Sequence, residues 1–157
     1  MRVFLFCILL LVNVSAQPLD DYIVLQSISN VESNNQYWRI GGAGEKTKYQ
    51  FIRTTWEEYS VVPFWKINQK QYENLSDQIA ILHLNRIKKY LSNKGYNYSL
   101  YNIGWIWNAG FGSFDRKRLP KSTKHYIEKL NNQYNILQIE RKILIQKPFS
   151  VKIDIEN

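Results

Sequence analysis

Residues 99–112 read SLYNIGWIWNAGFG, an apolar stretch that begins at a serine and ends in small, turn-forming residues. Ser99 can cap a helix, because its hydroxyl oxygen accepts a hydrogen bond from the free N–H groups of a first turn. The apolar residues after it cover most of a helix circumference, which favours a helix enclosed by others. The stretch therefore predicts a buried central helix that ends within residues 108–112, and a fold built around it.

A second helix is predicted near the start of the chain. Asp20 and Asp21 carry carboxylates that can satisfy free N–H groups at a helix start. The helix should end near Glu32 or Ser33, because the asparagines at positions 34–35 disfavour its continuation. Glu32 would then lie in the last turn beside the apolar face, where partial burial raises the pKa of a carboxyl group towards that of a useful general acid.

Three further helices and one loop complete this framework. Residues 53–59 predict a short helix capped by Thr54 or Thr55, and longer amphipathic helices begin at Ser76 and Ser122. Between the first two helices, residues 41–44 read GGAG, which predicts a loop whose backbone can approach another group closely.

The two ends of the chain differ from this helical middle. Residues 1–16 combine Arg2, an apolar run and a small-residue cleavage site, which indicates a signal peptide. Alternating isoleucines at 143, 145, 153 and 155, with Val151, predict one or two strands around Pro148. The expected fold is mainly α, within the α+β class: one domain over 17–135 and an extension over 136–157 that forms a short β-hairpin or an extended tail.

The composition limits the classes of function that the chain can have. The 157 residues suit one domain, and the net charge of +8 fits nucleic acid, anionic membranes or acidic wall polymers as partners. The predicted signal peptide argues against nucleic acid as the partner, because it directs the protein out of the cytoplasm. The only cysteine, Cys7, lies in the signal peptide, and His83 and His125 lack a metal-ligand spacing. We therefore expect no metal and no cofactor. Carboxylates, aromatic rings and amides remain, and this set suits cleavage of a glycosidic bond.

Four segments, in this order, resemble the goose-type lysozymes and soluble lytic transglycosylases of the lysozyme-like superfamily. Glu32-Ser33 is similar to the Glu-Ser step at the end of their catalytic helix. Tyr49-Gln50-Phe51 is similar to a loop written Gly-x-Tyr-Gln-Phe in some branches, although Thr47 or Lys48 stands where a glycine is common. Residues 107–110 (WNAG) resemble the Tyr-Asn-Ala-Gly motif, and residues 122–127 resemble a step on the last helix.

The resemblance implies a role for each of these residues. Glu32 would be the single acid/base, and the adjacent Ser33 would bind the substrate. Gln50 and Asn108 would offer amide groups to N-acetyl and hydroxyl groups. Tyr49 and Trp107 would wall the cleft, with a core position as the alternative for Trp107. Tyr126 would orient Glu32.

The resemblance also implies the reaction. It predicts a murein lytic transglycosylase, which cleaves the MurNAc–GlcNAc β-1,4 bond of peptidoglycan strands. The enzyme would be located in the periplasm or cell envelope, or be secreted, with no stable membrane span after signal cleavage. Its partner would be an envelope or secretion complex. Two alternatives stay open. One is a lysozyme-type hydrolase with Glu45 as the second acid, Asp115 being a weaker choice; the other is a non-catalytic wall-binding module.

Overall fold

The computed structural model describes residues 18–67 and 69–146, and this part of the chain is mainly helical, as expected. Five α-helices follow one another: α1 (Asp21–Ser33), α2 (Arg53–Glu57), α3 (Glu73–Asn93), α4 (Leu100–Asp115) and α5 (Lys121–Gln146). Two short 3-10 helices, Phe64–Lys66 and Lys70–Tyr72, lie between α2 and α3. Within the described ranges, β pairing is limited to one isolated antiparallel bridge between Lys46 and Phe51.

The bounds of α1 follow from its capping residues. The Asp20 carboxylate accepts hydrogen bonds from the N–H groups of Tyr22 (2.9 Å) and Ile23 (3.3 Å). At the other end Asn34 takes a left-handed conformation with φ 56°, which asparagine tolerates better than most residues. The predicted start and end of this helix are therefore confirmed, and Glu32 lies in its last turn.

The core forms where α5 packs against both α1 and α4. Gly104 of α4 allows its close approach to α5, because a Cβ at this position would lie 3.1 Å from side-chain carbons of both Ile127 and Leu130. The other flank of α4 is less enclosed than its composition predicts: Tyr101 is exposed, and Trp107 is only partly buried. Trp107 keeps an open side because it lines one wall of a cleft, which Tyr101 does not.

Several predicted helix ends are shifted. The cap of α2 is Ile52 rather than Thr54 or Thr55, and α3 begins three residues before Ser76, whose side chain is buried. The predicted end of α4 within residues 108–112 corresponds to a break at Gly110 (φ 76°, ψ 163°), after which a second helical segment continues to Asp115. These ends depend on tertiary packing, which overrides the local preferences of capping residues.

The strand prediction is wrong for Ile143 and Ile145, which lie in the exposed last turns of α5. Extension of a helix already packed at Leu130 and Tyr134 adds one hydrogen bond per residue, whereas a lone strand has no partner here. The predicted signal peptide (1–16) and the remaining strand residues (151–155, with Pro148) lie outside the described residues. Within the described ranges, the structure contains no helix with the length and apolar character that a membrane crossing requires.

The close contact at Gly104 predicts a large effect of added volume. Gly104→Val should lower the free energy of unfolding by about 2 kcal/mol or more, because the new methyl groups would overpack the α4–α5 contact. Gly42→Val is the control, since no atom lies within 4 Å of a Cβ at that position. Urea denaturation of both variants measures the difference, and equal stabilities would contradict this account of the helix contact.

Candidate active site

A cleft of about 580 Å³ opens between α4, α3, α2 and the loop that follows α1. Glu32 reaches this cleft from the end of α1. The predicted site residues that line it are Glu32, Glu45, Tyr49, Gln50, Trp107 and Asn108. The structure therefore brings together residues from three separate segments of the chain.

Glu32 is the strongly perturbed carboxyl group of the cleft. Burial raises its pKa to about 7, the nearby hydroxyl group of Tyr126 partly opposes this shift, and the negative charge of Glu45 adds to it. A carboxyl group with this pKa is about half protonated at neutral pH. Glu32 can therefore donate a proton under conditions where an ordinary carboxyl group is already ionised.

Tyr126 of α5 lies behind Glu32 in the core. Its side chain is buried, and its hydroxyl has no partner at hydrogen-bond geometry within the described residues. The Glu32 carboxyl group is the polar group whose charge influences it. The contact is loose by strict hydrogen-bond geometry, but it is close enough to lower the pKa of Glu32 and, after burial, to raise that of Tyr126. The orienting role that the resemblance implies for Tyr126 therefore stays a prediction.

Ser33 lies outside the cleft lining, although the resemblance of its motif implied a contact with the substrate. It is fully buried, and its hydroxyl oxygen lies 2.8 Å from the carbonyl oxygen of Lys48 and 3.1 Å from that of Ser29. It also accepts a hydrogen bond of 3.1 Å from the N–H of Gln36. Ser33 thus fixes the cleft loop to the end of α1, which positions Tyr49 and Gln50 beside Glu32.

Gly41 lies close to the side chains of two predicted site residues of the same loop, Glu45 and Gln50. A Cβ at this position would collide with the carboxylate of Glu45 and the amide oxygen of Gln50. The Glu45 carboxylate accepts a hydrogen bond of 2.9 Å from the N–H of Ala43. The Gln50 amide nitrogen donates to the carbonyls of Thr47 (2.8 Å) and Arg39 (3.1 Å). The GGAG loop therefore serves close packing of polar side chains rather than phosphate binding.

Aromatic rings form the wall of the cleft next to Glu32. The ring centroids of Tyr49, Phe51 and Trp107 lie 5.8 to 6.3 Å apart, within the range of favourable tilted contacts. Tyr49 and Phe51 are buried, whereas Trp107 keeps a partly exposed surface. Trp107 thus belongs both to the packed cluster and to the cleft wall, so both positions predicted for it, core and cleft wall, apply.

Asn108 is held by α5. Its amide oxygen accepts a hydrogen bond of 2.8 Å from the hydroxyl of Thr123, a buried residue. With the oxygen occupied, the NH₂ group of Asn108 is the part that can donate to a ligand. Asp115, the weaker candidate for a second acid, does not line the cleft; it pairs with Tyr90 and with Lys94 on the surface.

His83, Arg86 and Glu58 also line the cleft, and the sequence reasoning did not assign them to it. The Nδ1 atom of His83 lies 3.0 Å from the hydroxyl of Tyr59. Burial, with a contribution from the charge of Arg86, lowers the pKa of His83 to about 4, so the ring is neutral at physiological pH. The spacing of His83 and Arg86 places both on one helix face, but it cannot indicate what that face meets.

Comparison of the chain with family models, curated proteins and solved structures finds no match. Within residues 18–67 and 69–146, no group of three or more histidine, cysteine or acidic side chains is arranged to hold a metal ion. The chemistry of the cleft is therefore inferred from its own geometry and from the resemblance of its motifs.

The raised pKa of Glu32 predicts a pH-dependent stability. Because the pKa in the folded protein, about 7, exceeds the ordinary value of 4.5, the stabilising contribution of Glu32 is complete below pH 4.5 and is lost as the pH rises through 7. Glu32→Gln cannot ionise, so at pH 8 it should be more stable than the unaltered protein by at most about 3 kcal/mol.

Chemical denaturation at pH 5 and pH 8 measures this effect. At pH 5 the variant and the unaltered protein should differ little, since Glu32 is mostly protonated there. Glu140→Gln, an exposed position on α5, is the matched control and should follow the unaltered protein at both values. The same pH dependence in Glu32→Gln and in the unaltered protein would contradict a buried carboxyl group with a raised pKa.

Proposed function

We propose that this chain is an exported lytic transglycosylase that cleaves the MurNAc–GlcNAc β-1,4 bond in peptidoglycan, with Glu32 as its single acid/base. The observation that carries this proposal is the pKa of Glu32, about 7, in an open cleft that it shares with Gln50, Trp107 and Asn108. Such a carboxyl group is suited to protonate a leaving oxygen at neutral pH. The order of the motifs and their resemblance to the lysozyme-like superfamily support the same assignment.

The reaction needs one proton donor that becomes a base. The Glu32 carboxyl gives its proton to the glycosidic oxygen, and the bond from that oxygen to C1 of the muramyl sugar breaks. The 6-hydroxyl of the same sugar then forms a bond to C1 and returns its proton to the Glu32 carboxylate. The products are a new free hydroxyl end and a 1,6-anhydromuramyl end, and Glu32 is protonated again.

The other cleft residues suit the binding of a sugar chain. Trp107 offers an aromatic surface that can cover the apolar face of a sugar ring. The NH₂ group of Asn108 and the amide oxygen of Gln50 can bind N-acetyl and hydroxyl groups, since their other polar atoms already have partners within the protein. The burial of Glu32 keeps its carboxyl group partly protonated at neutral pH, so that the proton is available to the sugar.

A lysozyme-type hydrolase is the second candidate, and the position of Glu45 favours it. Glu45 lines the same cleft, and its charge contributes to the raised pKa of Glu32. In a hydrolase its carboxylate would activate a water molecule or stabilise the positive charge at C1. A wall-binding module without turnover is a weaker proposal, because mere binding does not require a carboxyl group with a raised pKa next to a buried tyrosine.

The proposal places the enzyme in the periplasm or cell envelope, or outside the cell. Its substrate would be the glycan strands of the wall, and an envelope or secretion complex could use the local opening that it makes. The basic net charge of +8 agrees with attraction to anionic wall polymers.

Glu32→Gln should abolish the release of soluble muropeptides from purified sacculi, with a loss of at least about a thousandfold, because the amide cannot donate the proton. The amide keeps the size of the carboxyl group, and circular dichroism should therefore be unchanged. Asp115→Asn is the control, since it removes a carboxyl group that does not line the cleft. Substantial muropeptide release by Glu32→Gln would refute the assigned role.

Mass spectrometry of the products separates the two enzymes. Anhydromuramyl ends indicate the transglycosylase, and reducing ends indicate the hydrolase. Under the transglycosylase proposal, Glu45→Gln should keep the same products at a reduced rate, because its charge only adjusts Glu32. Reducing ends that disappear in Glu45→Gln would instead support the hydrolase.

A further inference from the structure

We propose that the part of the cleft formed by α2 and α3 binds the peptide attached to the muramyl sugar, through the Arg86–Glu58 pair. The inference rests on the proposed function and names the group of the substrate that this part of the cleft recognises. Arg86 would donate to a carbonyl or carboxylate of the peptide, and Glu58 would accept from a peptide N–H. Both residues line the same cleft as Glu32.

The Arg86–Glu58 pair is held in one position by its contacts and remains accessible to solvent. Arg86 forms a charged hydrogen bond with Glu58, and its guanidinium carbon lies 5.0 Å from the centre of the Phe111 ring. The side chains are 47% and 46% exposed, so neither charge is enclosed by the protein. A guanidinium group has five N–H donors. The contact with Glu58 involves only the Nη1 group, and Tyr59 lies beside the guanidinium as well, which still leaves donors for a ligand.

The surroundings of the pair favour a ligand with donors and acceptors side by side. His83, which lies between Tyr59 and Trp107, is a neutral ring, so the positive charge beside it is that of Arg86. A neutral sugar ring does not require an ion pair for its recognition. A peptide carries N–H and C=O groups in alternation together with carboxylates, and it therefore complements an adjacent guanidinium and carboxylate.

The competing explanation for the Arg86–Glu58 pair is that it only stabilises the packing of α2 against α3. Exposed ion pairs contribute little to stability, so this role would have a small effect on folding and an equal effect on every substrate. Recognition of the peptide would instead affect only substrates that carry it. Two forms of the same wall therefore distinguish the explanations: intact sacculi, and glycan strands from which an amidase has removed the peptides.

Arg86→Gln and Glu58→Gln should each lower kcat/KM on peptide-bearing wall by about tenfold or more, chiefly through KM, because a charged hydrogen bond to the substrate is lost. On peptide-free strands the change should stay below about threefold. Arg53→Gln and Glu57→Gln are the matched controls, since that pair also lies on α2, at 3.7 Å, but does not line the cleft. Equal losses on both substrates, or no loss on either, would overturn the inference.

Binding provides a readout that does not depend on turnover. In the Glu32→Gln background, calorimetry with a soluble disaccharide-peptide and with the same disaccharide lacking the peptide should show that Arg86→Gln weakens only the first. If the unaltered protein cleaves neither form of the wall while this binding difference persists, the proposed function fails and the peptide site stands. If Arg86→Gln leaves the binding of both ligands unchanged, the peptide site fails whatever the activity.

Discussion

The contact between the Glu32 carboxyl group and the Tyr126 hydroxyl depends on the packing of the whole domain. Glu32 ends α1 and Tyr126 lies on α5, so the contact exists only where these two helices pack together. Burial makes ionisation of Glu32 costly, and the tyrosine hydroxyl limits that cost without removing it. The fold thus produces an acid that holds its proton near neutral pH.

The cleft around this acid is held by contacts between segments that are distant in sequence. Ser33 binds the carbonyl of Lys48 and so ties the loop carrying Tyr49 and Gln50 to the end of α1. Thr123 of α5 fixes the amide of Asn108 on α4. Helix α5 thus places two buried residues next to cleft groups: Thr123, which is hydrogen-bonded to Asn108, and Tyr126, which lies near Glu32.

Local signals predicted the elements that depend on local chemistry. The start and end of α1 follow from Asp20 and Asn34, and the capping of α4 follows from Ser99. The convergence of Glu32, Gln50 and Asn108 followed from the resemblance of their motifs, because no periodicity links them. The inward direction of Ser33 and the Arg86–Glu58 pair could not be predicted, since each depends on tertiary contacts between residues 15 and 28 positions apart.

The pH dependence of cleavage tests the central claim most directly. With purified sacculi as substrate, kcat/KM should be highest below neutral pH and should fall about tenfold for each pH unit well above 7, as Glu32 with a pKa of about 7 loses its proton. Tyr126→Phe should move this decline to higher pH, because it removes the group that lowers the pKa. A rate that stays constant or rises between pH 6 and pH 9 would contradict a protonated Glu32 as the catalytic acid.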